Sequence, residues 1–394
     1  MKIVVLFDHF GPYHLARLGG LSGAANVLGI ELYGKSHDYA WEASDRGAAN
    51  LVTLAEQGSA FRMTSAELAE KLSAALDDFQ PDAVAIPGWS SKGALTALKW
   101  CLAHRIPAIL MTESSAHDER RQSLKEWVKR RLIRLFSASL AGGTLHRDYL
   151  VALGMDRESI FLGYDAIDNE YFRQRADAIR LVSLRDTEEE CFLASARFIP
   201  KKNIIRLIKA YAGYRIVASS LGLRPWSLVL LGDGQMKAEI VAEVNRLKLE
   251  SFVTMPGFKQ YNELPEYYAR SSAFIHASTT EQWGLVVNEA MACGLPVLVS
   301  NRCGCAPDLV REGVNGLTFD PHDCDAIARC MLQLTQLPAE TREKMGAASV
   351  KMIGHWGPER FAEGLLKSVE FATVQERKTK SILDRILLAL LSRK

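Results

Sequence analysis

The sequence predicts an α/β chain built from two doubly wound parallel-sheet units. Its 394 residues, 48% apolar and 24% charged, are enough for two cores of ordinary domain size. Short apolar runs recur along it, each followed by polar or glycine-containing turns and then a helical pattern, which is the signature of a parallel sheet flanked by helices. The alternation also breaks off and restarts near the middle of the chain.

In order, the first series is KIVVLF (2–7), DAVAIP (82–87) and PAILM (107–111). Each is a short apolar run that leads into a turn. The second series is CFLASAR (191–197), SLVLLGDG (227–234), SAFIHAS (272–278) and PVLVS (296–300), interleaved with helical patterns over 203–218 and 235–247. Between them, residues 163–175 mix Gly, Asp and Asn with aromatics and read as a hinge. The expected organisation is a first domain over 1–165, a second over 166–355, and C-terminal helices over 356–394 that cross back to the first domain.

The formal net charge of +2 gives no global electrostatic case for nucleic acid as a partner. Seven cysteines are scattered without a repeated metal-ligand pairing, so reduced thiols are expected, including Cys303 and Cys305 on either side of one glycine. The opening MKIVVLF is too short for a signal peptide's apolar core, and no run approaches the roughly 18 apolar residues of a membrane span. A cytoplasmic location is expected, with a peripheral seat at the inner face of the plasma membrane as an extension of it. That extension rests on two amphipathic basic segments. Residues 120–136 carry seven Lys or Arg, with Leu124, Trp127, Val128, Leu132 and Leu135 at helical spacing. Near the C-terminus Ile382, Leu383, Ile386, Leu387, Leu390 and Leu391 form a stripe beside Lys378, Lys380, Arg385, Arg393 and Lys394. Such helices suit an anionic membrane surface. They equally suit core-facing helices with a solvated basic face or, for the last one, packing across the domains.

Three constellations in the second series carry chemistry. In ARFIPKKN, Arg197 ends a strand and Lys201 and Lys202 precede a helix beginning near Asn203. Cations at a strand-to-helix turn, beside a helix N-terminus with unpaired N–H groups, suit an anionic ligand; an exposed basic turn is the alternative. LGDG (231–234) is a glycine turn after a strand, without the spacing of a dinucleotide fingerprint. EQWGLVVNEAMACGLPVLVS (281–300) reads as a loop that enters a short helix at about Gly284, stops at Gly294 and Pro296, and continues into a buried strand. Gly284, Leu285 and Val286 are placed to aim backbone N–H groups at a phosphate, while Glu289 is placed to accept from ligand hydroxyls. Were 281–289 all helical, its two glutamates would sit about 80° apart, too splayed for one stripe, so Glu281 is read as a loop residue and Glu289 as a residue of the first helical turns.

These elements, in this order, resemble the retaining glycosyltransferases of family 4. The matching stretches are ARFIPKKNIIRLIKAY (196–211), LVLLGDGQMKAEI (228–240), PGFKQYNELPEYYARSSAFIHAS (256–278), the 281–300 segment and CGCAPDLVREGVNGLTFDPHD (303–323). The glutamate pair eight residues apart is the most specific mark. FLGYDAIDNEYF (161–172) is similar to the family's interdomain connection, but reads Gly163, Tyr164, Asp165 where Pro-Asn-Gly is commoner. The resemblance implies the GT-B arrangement, two Rossmann-like doubly wound domains facing a cleft.

It further implies that Arg197 and Lys202 hold the diphosphate of a UDP- or GDP-sugar donor. Glu289 would bind the ribose, and Glu281 would face the hydroxyls of the transferred sugar. Gly284 and Leu285 with neighbouring amides would face sugar and phosphates, and Phe258 and Leu264 would border the nucleobase. Trp283 stands where phenylalanine is usual and is read chiefly as packing. No metal or other cofactor is expected, because Asp323 and Asp325 form the only Asp-x-Asp spacing and lie at a late helix start. The implied reaction is hexosyl transfer with retention onto a glycan, lipid-linked or small-molecule hydroxyl. A nucleotide-sugar hydrolase or epimerase on the same fold, and a non-catalytic sugar-nucleotide-binding subunit, remain as alternatives. In the first domain, FDHFGPYHLARL (7–18) offers Asp8, His9, Gly11 and His14, and TESSAHDER (112–120) offers Glu113 and His117, as contacts for the transferred sugar or acceptor.

Overall fold

The structure, a computed structural model, describes residues 1–34, 46–47, 49–55, 63–183, 189–375 and 381–392. The chain divides into one unit of Met1–Ile167 with Trp356–Lys394 and a second of Asp168–His355. The division thus falls two residues beyond 165.

The first unit holds a parallel sheet ordered β3-β2-β1-β4-β5-β6-β7. Its strands are β1 (Lys2–Phe7), β2 (Asn26–Glu31), β3 (Leu51–Thr53), β4 (Ala83–Pro87), β5 (Ala108–Thr112), β6 (Ala138–Ala141) and β7 (Ile160–Leu162). Successive side chains of a strand point to opposite faces, so a strand covered on both sides must be apolar throughout. In β1, Val4 and Leu6 pack on one face with Leu28, Ile30, Leu72 and Leu98. Ile3, Val5 and Phe7 pack on the other with Leu18, Leu21, Phe361 and Leu365. The last two come from the helix Pro358–Val374, so the C-terminal segment completes the first unit's core. Gly364 in that helix permits the close approach: a Cβ there would lie 2.6 Å from the Leu162 carbonyl oxygen.

The second unit holds a parallel sheet ordered β10-β9-β8-β11-β12-β13. Its strands are β8 (Cys191–Ser195), β9 (Ser227–Leu231), β10 (Val253–Gly257), β11 (Ala273–His276), β12 (Val297–Ser300) and β13 (Gly316–Phe319). Phe192, Ala194, Leu228, Leu230, Ile275 and Leu298 form the centre of its core with Leu207, Tyr211 and Tyr214 of the helix Ile204–Ser220. The two tyrosines keep their polar ends paired. Tyr211 Oη donates to the Trp226 carbonyl at 2.8 Å, and Tyr214 Oη accepts the Trp226 N–H at 2.9 Å.

The LGDG turn is structural, and its glycines are needed for contact. Gly232 has φ +137°, and a Cβ there would lie 1.8 Å from the Ala196 carbonyl oxygen; Gly234 has φ +152° and meets the Phe198 backbone. Reciprocal backbone bonds lock the two turns: Phe198 N–H donates to Asp233 O at 2.8 Å, and Met236 N–H to Phe198 O at 3.0 Å. The glycine turn therefore sets the path of the chain around Arg197. Gly232→Ala combines a left-handed backbone with a backbone clash, so it is expected to destabilise the second unit by about 2–4 kcal/mol or prevent its folding. Thermal unfolding of the variant checks this, with Gly222→Ala, an exposed glycine also at positive φ (+70°) that meets no neighbouring atom, as the control for the clash.

Candidate functional site

The second sheet reverses its winding between β8 and β11. Loops leaving the carboxyl ends of those neighbouring strands diverge, which opens a crevice there. The loop after β8 carries Arg197 and the short 3₁₀ turn Pro200–Lys202; the loop after β11 carries Ser278 and Glu281. Lys202 Nζ is paired with Glu281 Oε2. The same oxygen accepts from Ser278 Oγ at 3.2 Å and lies 3.2 Å from His276 Nε2, which is itself 3.1 Å from Ser278 Oγ. Burial alone would raise the Glu281 pKa, but the His276 hydrogen bond and the Lys202 charge outweigh it and hold the carboxyl well below the usual range. Burial lowers the His276 pKa despite its bond to Glu281. The cluster is thus a carboxylate paired with an ammonium beside a neutral imidazole.

Backbone contacts fix this carboxylate in place. The Glu281 carbonyl accepts the Gly304 N–H at 3.0 Å, Glu281 pairs with Cys303 in an isolated parallel bridge, and Cys305 N–H donates to Trp283 O at 3.2 Å. Both thiols are buried, and burial pushes them well above the usual cysteine range, with the Glu281 charge adding to the effect. Among the described residues, no three His, Cys, Asp or Glu side chains are grouped to hold a metal ion. Gly284, at φ +107°, caps the helix Leu285–Ala292, and Gly284, Leu285 and Val286 stand half-buried at its start. The amides of a helix's first turn have no intrahelical acceptor, so this end offers N–H groups. Trp283 is fully buried, with its indole N–H on Asn288 Oδ1 at 2.9 Å, and so serves packing.

Glu281 is a loop residue and Glu289 lies in the second turn of that helix. Glu289 does not stand open to ligand hydroxyls. It is fully buried, and its Oε2 accepts the Tyr268 phenol at 2.6 Å. Tyr268 comes from the helix Leu264–Ala269, which the structure brings against the start of the 285–292 helix. Leu264 is buried at the head of its helix, whereas Phe258 is exposed just after β10. Arg197 is half-buried in the turn after β8, and Lys201 serves through its carbonyl, which accepts the Thr279 N–H at 2.8 Å. Asn203, in the left-handed region at φ 62°, ties three loops together: its Nδ2 donates to Ala277 O at 3.0 Å and Pro321 O at 2.8 Å.

The first unit has its own winding reversal, between β1 and β4. Gly11 caps the helix Pro12–Ser22 and donates its N–H to His14 Nδ1 at 3.2 Å, while the His14 ring packs 4.1 Å from that of Phe7. Burial, then Arg17 and His9, lower the His14 pKa. Glu113 is half-buried after β5, and His117 is exposed. Behind them lies a buried pair: Arg17 reaches Asp165 at 3.6 Å and donates through Nε to Ala166 O at 3.0 Å. Burial raises the Asp165 pKa against the charges of Arg17 and His146 and a hydrogen bond from Glu113. Glu31, fully buried at the end of β2, accepts from the Phe10 N–H at 3.0 Å and from Thr53 at 2.7 Å, and pairs with Arg46 at 2.6 Å.

Two parallel-sheet Rossmann-like units are the elements of the GT-B fold. Solved structures agree on the fold. Anabaena HepE in complex with UDP and glucose has a TM-score of 0.71 at 18% identity, covering 94% of this chain and 99% of that one. A glycosyltransferase from Rickettsia africae has a TM-score of 0.72 at 12% identity, covering 95% and 99%. Residues 176–352 match the family model described as Glycosyl transferases group 1. That stretch contains Arg197, Lys202, Glu281 and Glu289. A D-inositol 3-phosphate glycosyltransferase of Thermobifida fusca is 37% identical over 175 residues, 44% of this chain and 36% of that protein. The O-antigen chain mannosyltransferase B of Escherichia coli is 34% identical over 138 residues, 35% of this chain and 34% of that protein. A probable sucrose-phosphate synthase 2 of Craterostigma plantagineum is 32% identical over 173 residues, 40% of this chain and 15% of that protein. The matched stretch spans little more than a third of each of these relatives, or less.

His276, Ser278, Tyr268, Arg17 and Glu31 were not singled out by sequence reasoning, and Asn203 and Asp165 were named only as a helix start and as part of the interdomain connection. A signal existed for two of them, since His276 and Glu31 are polar residues that end strands whose other buried positions are apolar or glycine. For Glu31, burial would raise the pKa, but bonds from His9, Thr53 and the Phe10 N–H, with Arg46, lower it to about 2. A carboxyl depressed in the folded state stabilises fully above its unfolded pKa of about 4.3 and loses that contribution as pH falls through the folded value. The stability gap between wild type and Glu31→Gln, measured by urea unfolding, should therefore be about 2–3 kcal/mol above pH ~5 and close as pH approaches ~2.

Proposed function

We propose that the protein is a retaining glycosyltransferase that moves a hexosyl group from a UDP- or GDP-sugar to a hydroxyl acceptor in glycan, polysaccharide or glycolipid assembly. The observation that carries this reading is a charged, desolvated Glu281 held beside Lys202 at the β8/β11 reversal, next to a helix N-terminus. It is supported by the group 1 match over 176–352 and by relatives named as transferases.

A departing nucleoside diphosphate gains negative charge. In this reading Arg197, Lys202 and the first-turn amides at Gly284, Leu285 and Val286 meet that charge in place of a divalent ion. Glu281 faces the sugar, where a carboxylate can accept from hydroxyls and stabilise positive charge developing at the anomeric carbon. Its Oε2 is already held by Lys202, His276 and Ser278, so Oε1 is the atom assigned to the sugar. The acceptor attacks the face from which the nucleotide leaves, and the donor's own phosphate oxygen takes the acceptor proton. Glu289 would reach a ribose once the Tyr268 phenol gives way, and Phe258 and Leu264 would border the base.

Glu281→Gln is expected to lower turnover on the order of 10²-fold while changing nucleotide affinity little. Lys202→Ala should weaken both, because it removes a phosphate contact and strands a buried carboxylate. Transfer by Glu281→Gln at the wild-type rate would remove Glu281 from the chemistry. Thermal shift against UDP, GDP and their sugars identifies the donor, since a ligand at about 100 times its Kd stabilises by about 2.7 kcal/mol. Turnover that needs no added acceptor would instead favour a hydrolase or epimerase, and nucleotide binding without turnover would favour a binding subunit.

A further inference from the structure

The first unit carries a helix with its apolar face turned outward. In the helix Ile382–Leu391, Asp384 and Leu388 are buried, whereas Ile382, Leu383, Ile386 and Leu390 are exposed, at 77%, 46%, 51% and 57%. At about 100° per residue, those four form one contiguous stripe on the side opposite the buried pair. An ordinary surface helix does the reverse. The inward side is anchored by charge: Asp384 pairs with Arg131 at 3.0 Å.

Arg131 belongs to the helix Ser123–Ile133, which packs on the C-terminal helix and adds exposed Leu124 and Trp127. This neighbour is strongly cationic. Residues 120–134 hold seven Lys or Arg against one Glu, and Arg120, Lys125, Arg130 and Arg134 are exposed. Lys125 and Lys129 share Glu119, so part of that charge is met within the unit. Between the two helices and the amino end of β5 lies a cavity of about 750 Å³. Leu102, Ile106 and Phe371 give it apolar walls, and its lining carries three arginines, Arg105, Arg134 and Arg385, against two carboxylates, Asp156 and Asp384. It lies by the amino ends of β5 and β6, away from the carboxyl edge that carries Gly11 and Glu113.

We propose that the outward leucine and isoleucine stripe and the adjoining cationic helix seat the protein on an anionic phospholipid surface, with the stripe in the interfacial layer and the exposed Arg120, Lys125, Arg130 and Arg134 on lipid phosphates. The inference stands apart from the transferase reading. Three observations select this occupant. The exposed stripe gains by leaving water, the exposed aromatic Trp127 with Arg131 stacked 5.4 Å from its ring suits an interface, and the cations match anionic headgroups. A second copy of the chain fits less well, because a symmetric contact would set one cationic helix against another. Among the described residues no helix is long and apolar enough to cross a membrane, so the stripe would lie on the surface. Lys378, Lys380, Arg393 and Lys394, which the sequence places beside it, lie outside the described residues.

Flotation of the full-length chain with vesicles of phosphatidylcholine, with and without phosphatidylglycerol, tests this. The wild type should float with the phosphatidylglycerol vesicles, less so at high salt, and stay down with neutral ones. Ile386→Glu with Leu390→Glu changes exposed positions only, so circular dichroism should be unchanged while the floated fraction falls on the order of tenfold or more. Arg130→Glu with Arg134→Glu should abolish the preference for phosphatidylglycerol. The proposal is overturned if the wild type does not float with anionic vesicles, if either double variant floats like wild type, or if the wild type is a dimer that Ile386→Glu with Leu390→Glu dissociates.

Discussion

A carboxylate removed from water stays charged only where donors surround it, and the second unit is arranged around that requirement at Glu281. Its partners come from different parts of the chain: Lys202 from the turn after β8, His276 from the end of β11, Ser278 from the loop beyond. Each partner that satisfies Glu281 also fixes the loop it comes from. Asn203 continues the tie to Ala277 and Pro321. Removing one member of a buried charged pair typically costs about 3–5 kcal/mol, because the other is left uncompensated. The same contacts that hold the loops together therefore keep an acid ionised at the winding reversal.

Backbone packing supplies the rest of that frame. The Ala196 carbonyl occupies the space a side chain at 232 would need, so the turn bearing Arg197 and the glycine turn after β9 can only be placed together. The first unit repeats the logic with other residues. Glu31 at the end of β2 takes the Phe10 N–H and so sets the chain path into Gly11, and Arg17 couples the first helix to Asp165 and Ala166 after β7. In both units the polar side chains buried at the carboxyl edge of the sheet act as staples between loops, and those loops present the candidate ligand-binding groups.

The outward stripe of the C-terminal helix follows another rule. Its inner side is committed to Leu388 and to the Asp384–Arg131 pair, which leaves Ile382, Leu383, Ile386 and Leu390 facing out. Six apolar side chains on two adjoining helices, Leu124, Trp127, Ile382, Leu383, Ile386 and Leu390, are left largely in water rather than in the unit's own core.

Much of the fold was legible in the residues, for a local reason. KIVVLF, PAILM and PVLVS are apolar but for their end residues Lys2 and Ser300, because strands buried on both faces have no wet side, and Gly284 and Gly294 mark helix ends through positive-φ backbone conformations that other residues resist. The loop-then-helix reading of Glu281 and Glu289 followed from helical geometry alone. Pairings between distant segments could not be read that way. That Lys202 turns to Glu281, that Glu289 is closed off by Tyr268, and that Ile386 faces out while Asp384 faces in all depend on which elements the chain sets side by side. An amphipathic pattern records only that a helix has two faces; its neighbours in space determine which face meets water, and the donors and cations that those neighbours bring determine which buried acids keep their charge.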